Sequence, residues 1–419
     1  VLVTEAGLVE LLAGVRVLES SMLLNGATTG MFLADLGADV IKIESPFLGD
    51  YIRFEETAHL HRQVNRGKRS VAVDLRKPEG QEILRRLLNQ TDVFVTNAVG
   101  DRNRALGLAY EQIKALKPDI VYCQNTGFGA TGPYSNIPTH GLMMDSMGGG
   151  LPVRMGEDGF TQPATNPRRV GTMAVAGEGT TSGSIFSAFH VAAALLRRAR
   201  TGEGCFIEVS ASAAVVASAW TAAVGALNRG SRPSPFNDEE LNRPVARYQS
   251  YETADGLFVM FCPEEKKFWH AFCDLVGRDD LRELHRGEDL RRAVQSVFRT
   301  QSREHWLALA QANGLPIGPI HNNAQEVAGD PQLNARGVFA SGPDGFVFIA
   351  QPALVDGARP RGAASAPSLG EHTEQVLGAL GYTADDLTRL RSAEVISSAS
   401  FRNDHLSDRI HAEPEKPRN

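Results

Sequence analysis

The chain has 419 residues, 42% hydrophobic and 22% charged, the proportions of a folded globular protein with room for two or three domains. Its 43 Lys and Arg against 49 Asp and Glu leave a net charge of −6, which argues against a nucleic-acid or anionic-membrane partner. Cys123, Cys205, Cys262 and Cys273 stand far apart with no CxxC spacing, so no metal site or disulfide framework is expected, and a cytoplasmic setting is.

The N-terminus, Val1-Leu2-Val3-Thr4-Glu5, carries no basic stretch or cleavage site and is not expected to be a signal peptide. The first half alternates strand and helix patterns. Strands are predicted at Val15–Leu18, Val40–Ile43, Ser70–Leu75, Asp92–Thr96 and Ile120–Tyr122. Helices are predicted at Thr28–Leu36, Glu79–Gln90 and Tyr110–Leu116, the second on the helical spacing of Ile83, Leu84, Leu87 and Leu88. Such β-α-β repetition predicts a parallel sheet covered by helices.

From Gly127 to Gly159 the chain turns to Gly, Met, Pro and Asn, and Gly148-Gly149-Gly150 reads as loop or turn. Asp158–Gly183 reads as a long irregular segment. A helix follows at Ser184–Arg198 and a strand at Phe206–Val209. Val209–Asn228 has no charged residue and nearly membrane-spanning length, but its Ala, Ser and Val composition predicts a closely packed helix instead of a lipid-facing one. Gly230–Pro244 reads as a linker. A Tyr251–Phe261 hairpin turns at Ala254-Asp255-Gly256, with helices at Lys267–Gly277, Arg303–Asn313 and Thr373–Leu380. The charged tail from Asn403 is expected to fray.

The first β-α turn, Ser20 to Gly30, is neither GxGxxG nor a P-loop, so Gly26 and Gly30 read as close helix-on-sheet packing. Asn65-Arg66-Gly67-Lys68-Arg69-Ser70 is a basic loop with the chemistry to hold phosphates. Taken with Gly37–Pro46 (GADVIKIESP), Gly49–Arg53 (GDYIR), Asp74–Gly80 (DLRKPEG), Leu106-Gly107-Leu108, Thr126–Gly129 (TGFG), Gly132-Pro133-Tyr134 and Arg198–Gly204 (RARTGEG), it resembles the family III coenzyme A transferases in order and spacing. The resemblance is strong over residues 14–220 and looser beyond, through Tyr251–Gly256 and Phe268-Trp269. That family also contains α-methylacyl-CoA racemases.

The resemblance implies an α/β fold. A Rossmann-like large domain would comprise residues 1–228 and a returning C-terminal segment, 341–419. A linker and smaller inserted α+β domain would occupy 229–340. An intertwined, ring-like homodimer would bury the apolar Val209–Asn228 segment. It also implies an acyl-CoA and a carboxylic acid as substrates, coenzyme A thioester entering as substrate and no tightly bound cofactor. Ser21, Met22, Lys42, Arg66, Lys68, Arg69, Asn97 and Arg104 would then lie around the CoA nucleotide, the last two after a strand of an open sheet.

At the catalytic position the sequence departs from its family. Transferases of this type carry an Asp after Gly. Here Ala174-Val175-Ala176-Gly177-Glu178-Gly179 offers Glu178 instead. As a transferase, Glu178 would form the covalent anhydride and thioester, with the N–H groups of Gly148–Gly150 or Gly177–Gly183 as oxyanion donors. His140 sits where the racemase branch has a His, although Gly141 replaces the following Asp. Glu265 matches a Glu that steadies it. A racemase using His140 and Glu178 as paired acid and base, and a CoA-ester binding protein without turnover, are the alternatives. Met143, Met144, Met147 and Met155 fit either an adaptable apolar pocket or a Met-rich core.

Overall fold

The computed structural model describes residues 2–3, 9–54, 56–163, 178–228, 246–284, 287–342, 344–359 and 364–397. Ala174–Gly177, the expected linker and the tail from Asn403 lie outside these. The chain divides into two compact units, one drawn from Val1–Thr165, Gly171–Ala223 and Gly337–Asn419 and the other mainly from Val224–Arg336.

The first unit is organised on strands β1 (Arg16–Ser20), β2 (Asp39–Glu44), β3 (Arg69–Val73), β4 (Val93–Thr96), β5 (Val121–Thr126) and β6 (Cys205–Ser210). They are parallel and run β6-β5-β4-β1-β2-β3 across the sheet. A short strand far along the chain, Ile396–Ser397, closes the β3 edge antiparallel, Ile396 opposite Val73. The order reverses between β1 and β4, so the chain leaves these neighbours toward opposite sides and opens a crevice at their carboxyl ends.

Alternating side chains bury both faces. Val17, Val40, Val93, Val95 and Val121 meet Leu33, Ala34, Ala188 and Val191 of helices α1 (Asn25–Asp35) and α6 (Glu178–Thr201) on one side. Leu18, Ile41, Val71 and Phe94 meet Ile83, Leu84, Leu87 and Leu88 of α3 (Pro78–Asn89) on the other. Helices α2 (Ala58–Asn65), α4 (Tyr110–Leu116) and α5 (Gly141–Met147) complete this part. The second unit packs strands β7 (Gln249–Glu252), β8 (Phe258–Phe261) and β9 (Ile317–Ile320) as an antiparallel sheet. Its helices α7 (Lys266–Val276), α8 (Glu288–Phe298) and α9 (Arg303–Asn313) enclose an aromatic core in which Tyr251 and Phe298 stack with centroids 5.2 Å apart.

Two expectations are corrected, and one stretch gains an element. Gly141–Met147, within the stretch rich in Gly, Met, Pro and Asn, is helical and closes at Gly148, the first of the three glycines that form the expected turn. Asp158–Gly183 is not irregular to its end, because α6 begins at Glu178, six residues before the predicted start. Its early glycines permit this: a Cβ on Gly183 would stand 3.1 Å from Asn125 Oδ1 and 3.2 Å from Ala211 Cα. Val209–Asn228 is not one helix. Ser210 ends β6 and its Oγ accepts the Ala213 N–H at 3.3 Å, capping Ala211–Ser218, and a second helix covers Trp220–Asn228. Among the described residues no helix is long and apolar enough to cross a membrane.

Candidate active site

The turn after β1 is pinned from three sides. Asn97, just past β4, grips Met22: its Oδ1 accepts the Met22 N–H at 3.1 Å and its Nδ2 donates to the Met22 carbonyl at 2.5 Å. The Leu23 N–H, at a residue with φ of 60°, donates to Asp50 Oδ1 at 2.9 Å. Ser21 Oγ donates to Glu19 Oε1 at 2.7 Å. Gly26 and Gly30 make room, as the sequence indicated. A Cβ on Gly26 would fall 2.4 Å from Ser21 Cβ, and one on Gly30 2.0 Å from Glu19 Oε2.

Beneath the turn lies a buried ion cluster. Lys42 Nζ contacts Glu19 at 2.9 Å and Asp50 at 3.0 Å and donates to the Ser21 carbonyl at 3.0 Å. Lys68 Nζ meets Glu19 at 2.7 Å, the Ala27 carbonyl at 2.8 Å and Asn65 Oδ1 at 3.1 Å. Burial disfavours the Glu19 charge, but Lys42 and Lys68 outweigh it and hold that carboxyl down at about 2. Burial also opposes the Lys42 charge, yet Glu19, Asp50 and Glu44 together push its pKa up. Lys68 goes the other way, to about 8, because burial outweighs Glu19, and the nearby Lys42 charge adds to the effect.

The sequence-predicted nucleotide residues therefore separate. Lys42, Arg66 and Lys68 are buried and spent within the fold, Arg66 on Asp35 through contacts of 3.0 and 2.5 Å. Arg69, partly exposed, chelates Asp39 at 2.9 and 2.5 Å. In this structure the loop does not offer free cations at Arg66 and Lys68, since each already has a carboxylate. Ser21, Met22 and Asn97 share one corner, while Arg104 is largely exposed on Arg102–Ala105, 3.8 Å from Asp101.

Glu178 opens α6, and the helix start is anchored by a residue the sequence reading passed over. Asp145, on the buried side of α5, accepts the Gly179 N–H on Oδ1 at 2.7 Å. Beside it Ser184 Oγ donates to the Asn25 carbonyl at 2.7 Å and Asn25 Nδ2 points at Met144 Sδ, 3.2 Å away, tying α6, α1 and α5 together. Partial burial raises the Glu178 pKa, and the neighbouring Asp145 charge raises it further. Asp145 was legible only as an acid just before a triple glycine; Asn25 and Ser184 carried no separate signal.

The expected oxyanion donors at Gly148–Gly150 are not available. Their N–H groups donate to the Met144, Ser146 and Asp145 carbonyls at 3.1, 3.0 and 2.7 Å and terminate α5. Gly179 is likewise taken by Asp145. His140 is exposed at the N-cap of α5, its carbonyl accepting the Met143 N–H at 2.8 Å. Glu265, exposed at the N-cap of α7, belongs to the second unit. An open hollow of about 410 Å³ lies on the outer side of α5, lined by Phe128, Tyr134, Ile137, Met143, Ser146 and Met147. Two of the four singled-out methionines thus line a surface hollow, whereas Met144 is core.

A sequence profile for CoA-transferase family III matches residues 12–373. The chain is 32% identical over 396 residues to a succinate–glutarate CoA-transferase of Agrobacterium fabrum, covering 88% of this chain and 95% of that one. It is 29% identical to the human succinyl-CoA:glutarate CoA-transferase, covering 92% and 90%. The crystal structure of a CAIB/BAIF family protein from Brucella suis superposes with a TM-score of 0.70 at 30% identity, over 88% of this chain and 99% of that one.

Proposed function

This chain belongs to CoA-transferase family III and is an enzyme of that family, and on that premise we propose that Glu178 carries the transferred group. The observation that supports this most is the contrast in neutralisation. Glu178 is partly withdrawn from water at a helix start, where burial and then the neighbouring Asp145 charge raise its pKa. A carboxylate so placed is a stronger nucleophile than one paired with lysine.

In the first step a Glu178 carboxylate oxygen attacks the thioester carbonyl of the acyl-CoA, giving a mixed anhydride and CoA thiolate. The thiolate attacks the Glu178 carbonyl of that anhydride, forming a glutamyl-CoA thioester and freeing the donor acid. The acceptor carboxylate then attacks this thioester, regenerating an anhydride and thiolate. Attack of the thiolate on the acceptor carbonyl yields the new acyl-CoA and restores the Glu178 carboxylate. Each thioester broken is replaced, so no ATP is consumed. The Thr180 N–H, in the first turn of α6 where the leading N–H groups have no intrahelical acceptor, serves as an oxyanion donor in this scheme. Ser21, Met22, Asn97, Arg69 and Arg104 are the proposed CoA contacts of the crevice. Lys42, Arg66 and Lys68 support that edge through their ion pairs.

The large unit is proposed to be Rossmann-like, the second unit an inserted domain, and the assembly a homodimer. Ile185, Phe189 and Leu196 form an exposed apolar stripe along α6, and Val216 and Trp220 are exposed beside the chain that follows β6. Light scattering during gel filtration should give twice the chain mass.

Succinate and glutarate, the acids named for two relatives, are the first pair to assay. Succinyl-CoA with labelled glutarate should yield labelled glutaryl-CoA without ATP, and Glu178→Gln should abolish it. Exchange of the α-hydrogen with solvent and no acyl transfer, dependent on both His140 and Glu178, would instead establish the racemase. Saturable CoA-ester binding with neither reaction would establish a binding protein.

A further inference from the structure

The second unit holds an arginine that pairs with no carboxylate among the described residues. Arg247 is 4% exposed, and its guanidinium lies over the Trp269 ring, 5.4 Å from the centroid. Its Nε is buried and makes no hydrogen bond. Two residues on, Gln249 is 7% exposed. Its Oε1 accepts the Ser250 N–H at 2.9 Å, but its Nε2 is buried without a partner. Gln249 stands opposite Phe261 in the β7–β8 register, and the Phe261 and Trp269 rings are 6.4 Å apart. The two orphaned groups therefore border one aromatic wall.

Both orphans are N–H donors. A guanidinium keeps its charge at any working pH, and a buried charge without a counter-ion is strongly unfavourable. Elsewhere the fold meets this demand, as where Arg66 is paired with Asp35. At Arg247 no acid among the described residues does so. We propose that Arg247 and Gln249 form a carboxylate-binding recess of the second unit, which takes a carboxylate of the acid substrate. This rests on the CoA-transfer reading above. The guanidinium edge and the amide supply donors for the two oxygens of one carboxylate, and the indole face shields the pair from water. A single cation matches the charge of one carboxylate, whereas a CoA phosphate demands more. The acids that open the helix bearing Trp269, Glu264 and Glu265, are exposed and further disfavour a multiply charged anion.

The test is equilibrium binding of glutarate to the full chain without CoA, at constant ionic strength, followed by tryptophan fluorescence and by thermal unfolding. The wild-type response should saturate, and inorganic phosphate at equal concentration should not compete. Arg247→Gln should weaken binding about tenfold to a hundredfold, the loss expected for a charge-assisted hydrogen bond. Arg247→Lys, which keeps the charge but not the fork, should fall between, and Gln249→Leu should cost less. If Arg247→Gln does not fold, the last two variants carry the comparison. No saturable wild-type response, equal affinity in the variants, or displacement by phosphate or CoA in preference to glutarate would overturn the proposal. Binding and transfer by the wild type separate the two readings: binding intact with transfer absent removes only the transferase reading, and transfer intact with binding absent removes only this recess.

Discussion

Glu19 and Glu178 are both withdrawn from water near the carboxyl end of the first unit's sheet, yet their protons are held in opposite ways. Glu19 is fully buried between Lys42 and Lys68, and its carboxyl is held at about 2. Glu178 is only partly buried, faces the Asp145 charge, and has a raised pKa. Desolvation acts on both, so the deciding factor is the neighbouring charge. Two cations turn one glutamate into a strut beneath the first turn, and an acid beside the other suits it to its proposed covalent role.

Removing the proposed nucleophile should have the largest effect. Glu178→Gln should lower kcat by about four orders of magnitude or more, as loss of a covalent nucleophile does, with little change in unfolding free energy. Comparable loss of stability and rate would mean that Glu178 is also a strut. Glu19→Gln should do the reverse and destabilise by about 3–5 kcal/mol in denaturant titration, because two buried ammonium groups lose their shared partner. Glu19→Gln with Lys68→Met should recover part of that loss. A stable single mutant would break the contrast from the other side.

His61 sharpens the comparison at the rim of the ion cluster. Burial, then the Arg53 charge, lowers its pKa to about 3, and its Nε2 is buried without a partner. The folded protein keeps it neutral while the unfolded chain protonates it below its ordinary pKa. Its contribution is therefore complete above 6.5 and lost as pH falls through the window from 6.5 to about 3. The slope approaches about 1.4 kcal/mol per pH unit there, and His61→Gln should flatten it. The smallest effect is expected at Asp145. Asp145→Asn keeps an acceptor for the Gly179 N–H but removes the charge facing Glu178. The acid limb of kcat/KM, which lies above that of an ordinary glutamate, should shift to lower pH. An unmoved limb would assign it to another group.

The alternating valines of the sheet and the Ile83–Leu88 face of α3 were legible because their burial follows local period. The glycines of the first turn were legible because a missing side chain signals close approach. The ion cluster was not: Lys42 and Lys68 are cations in sequence, and only the packing of α1 over Glu19 shows that they face inward. Glu178 was found through the family pattern, but its place at a helix start was hidden, since the residue that fixes it, Asp145, is 33 positions earlier. Helix α5 was obscured by its glycines and methionines, and the strand Ile396–Ser397 by its two-residue length.

Mass analysis of the intact protein after incubation with succinyl-CoA, followed by peptide mapping, tests the role of Glu178 most directly. The protein should gain the mass of coenzyme A less one water, and hydroxylamine should convert the adduct to a hydroxamate on the peptide containing Glu178. Borohydride should convert the same side chain to an alcohol, and Glu178→Gln should show neither product. An adduct on another carboxylate, or full CoA transfer by Glu178→Gln, would contradict the account.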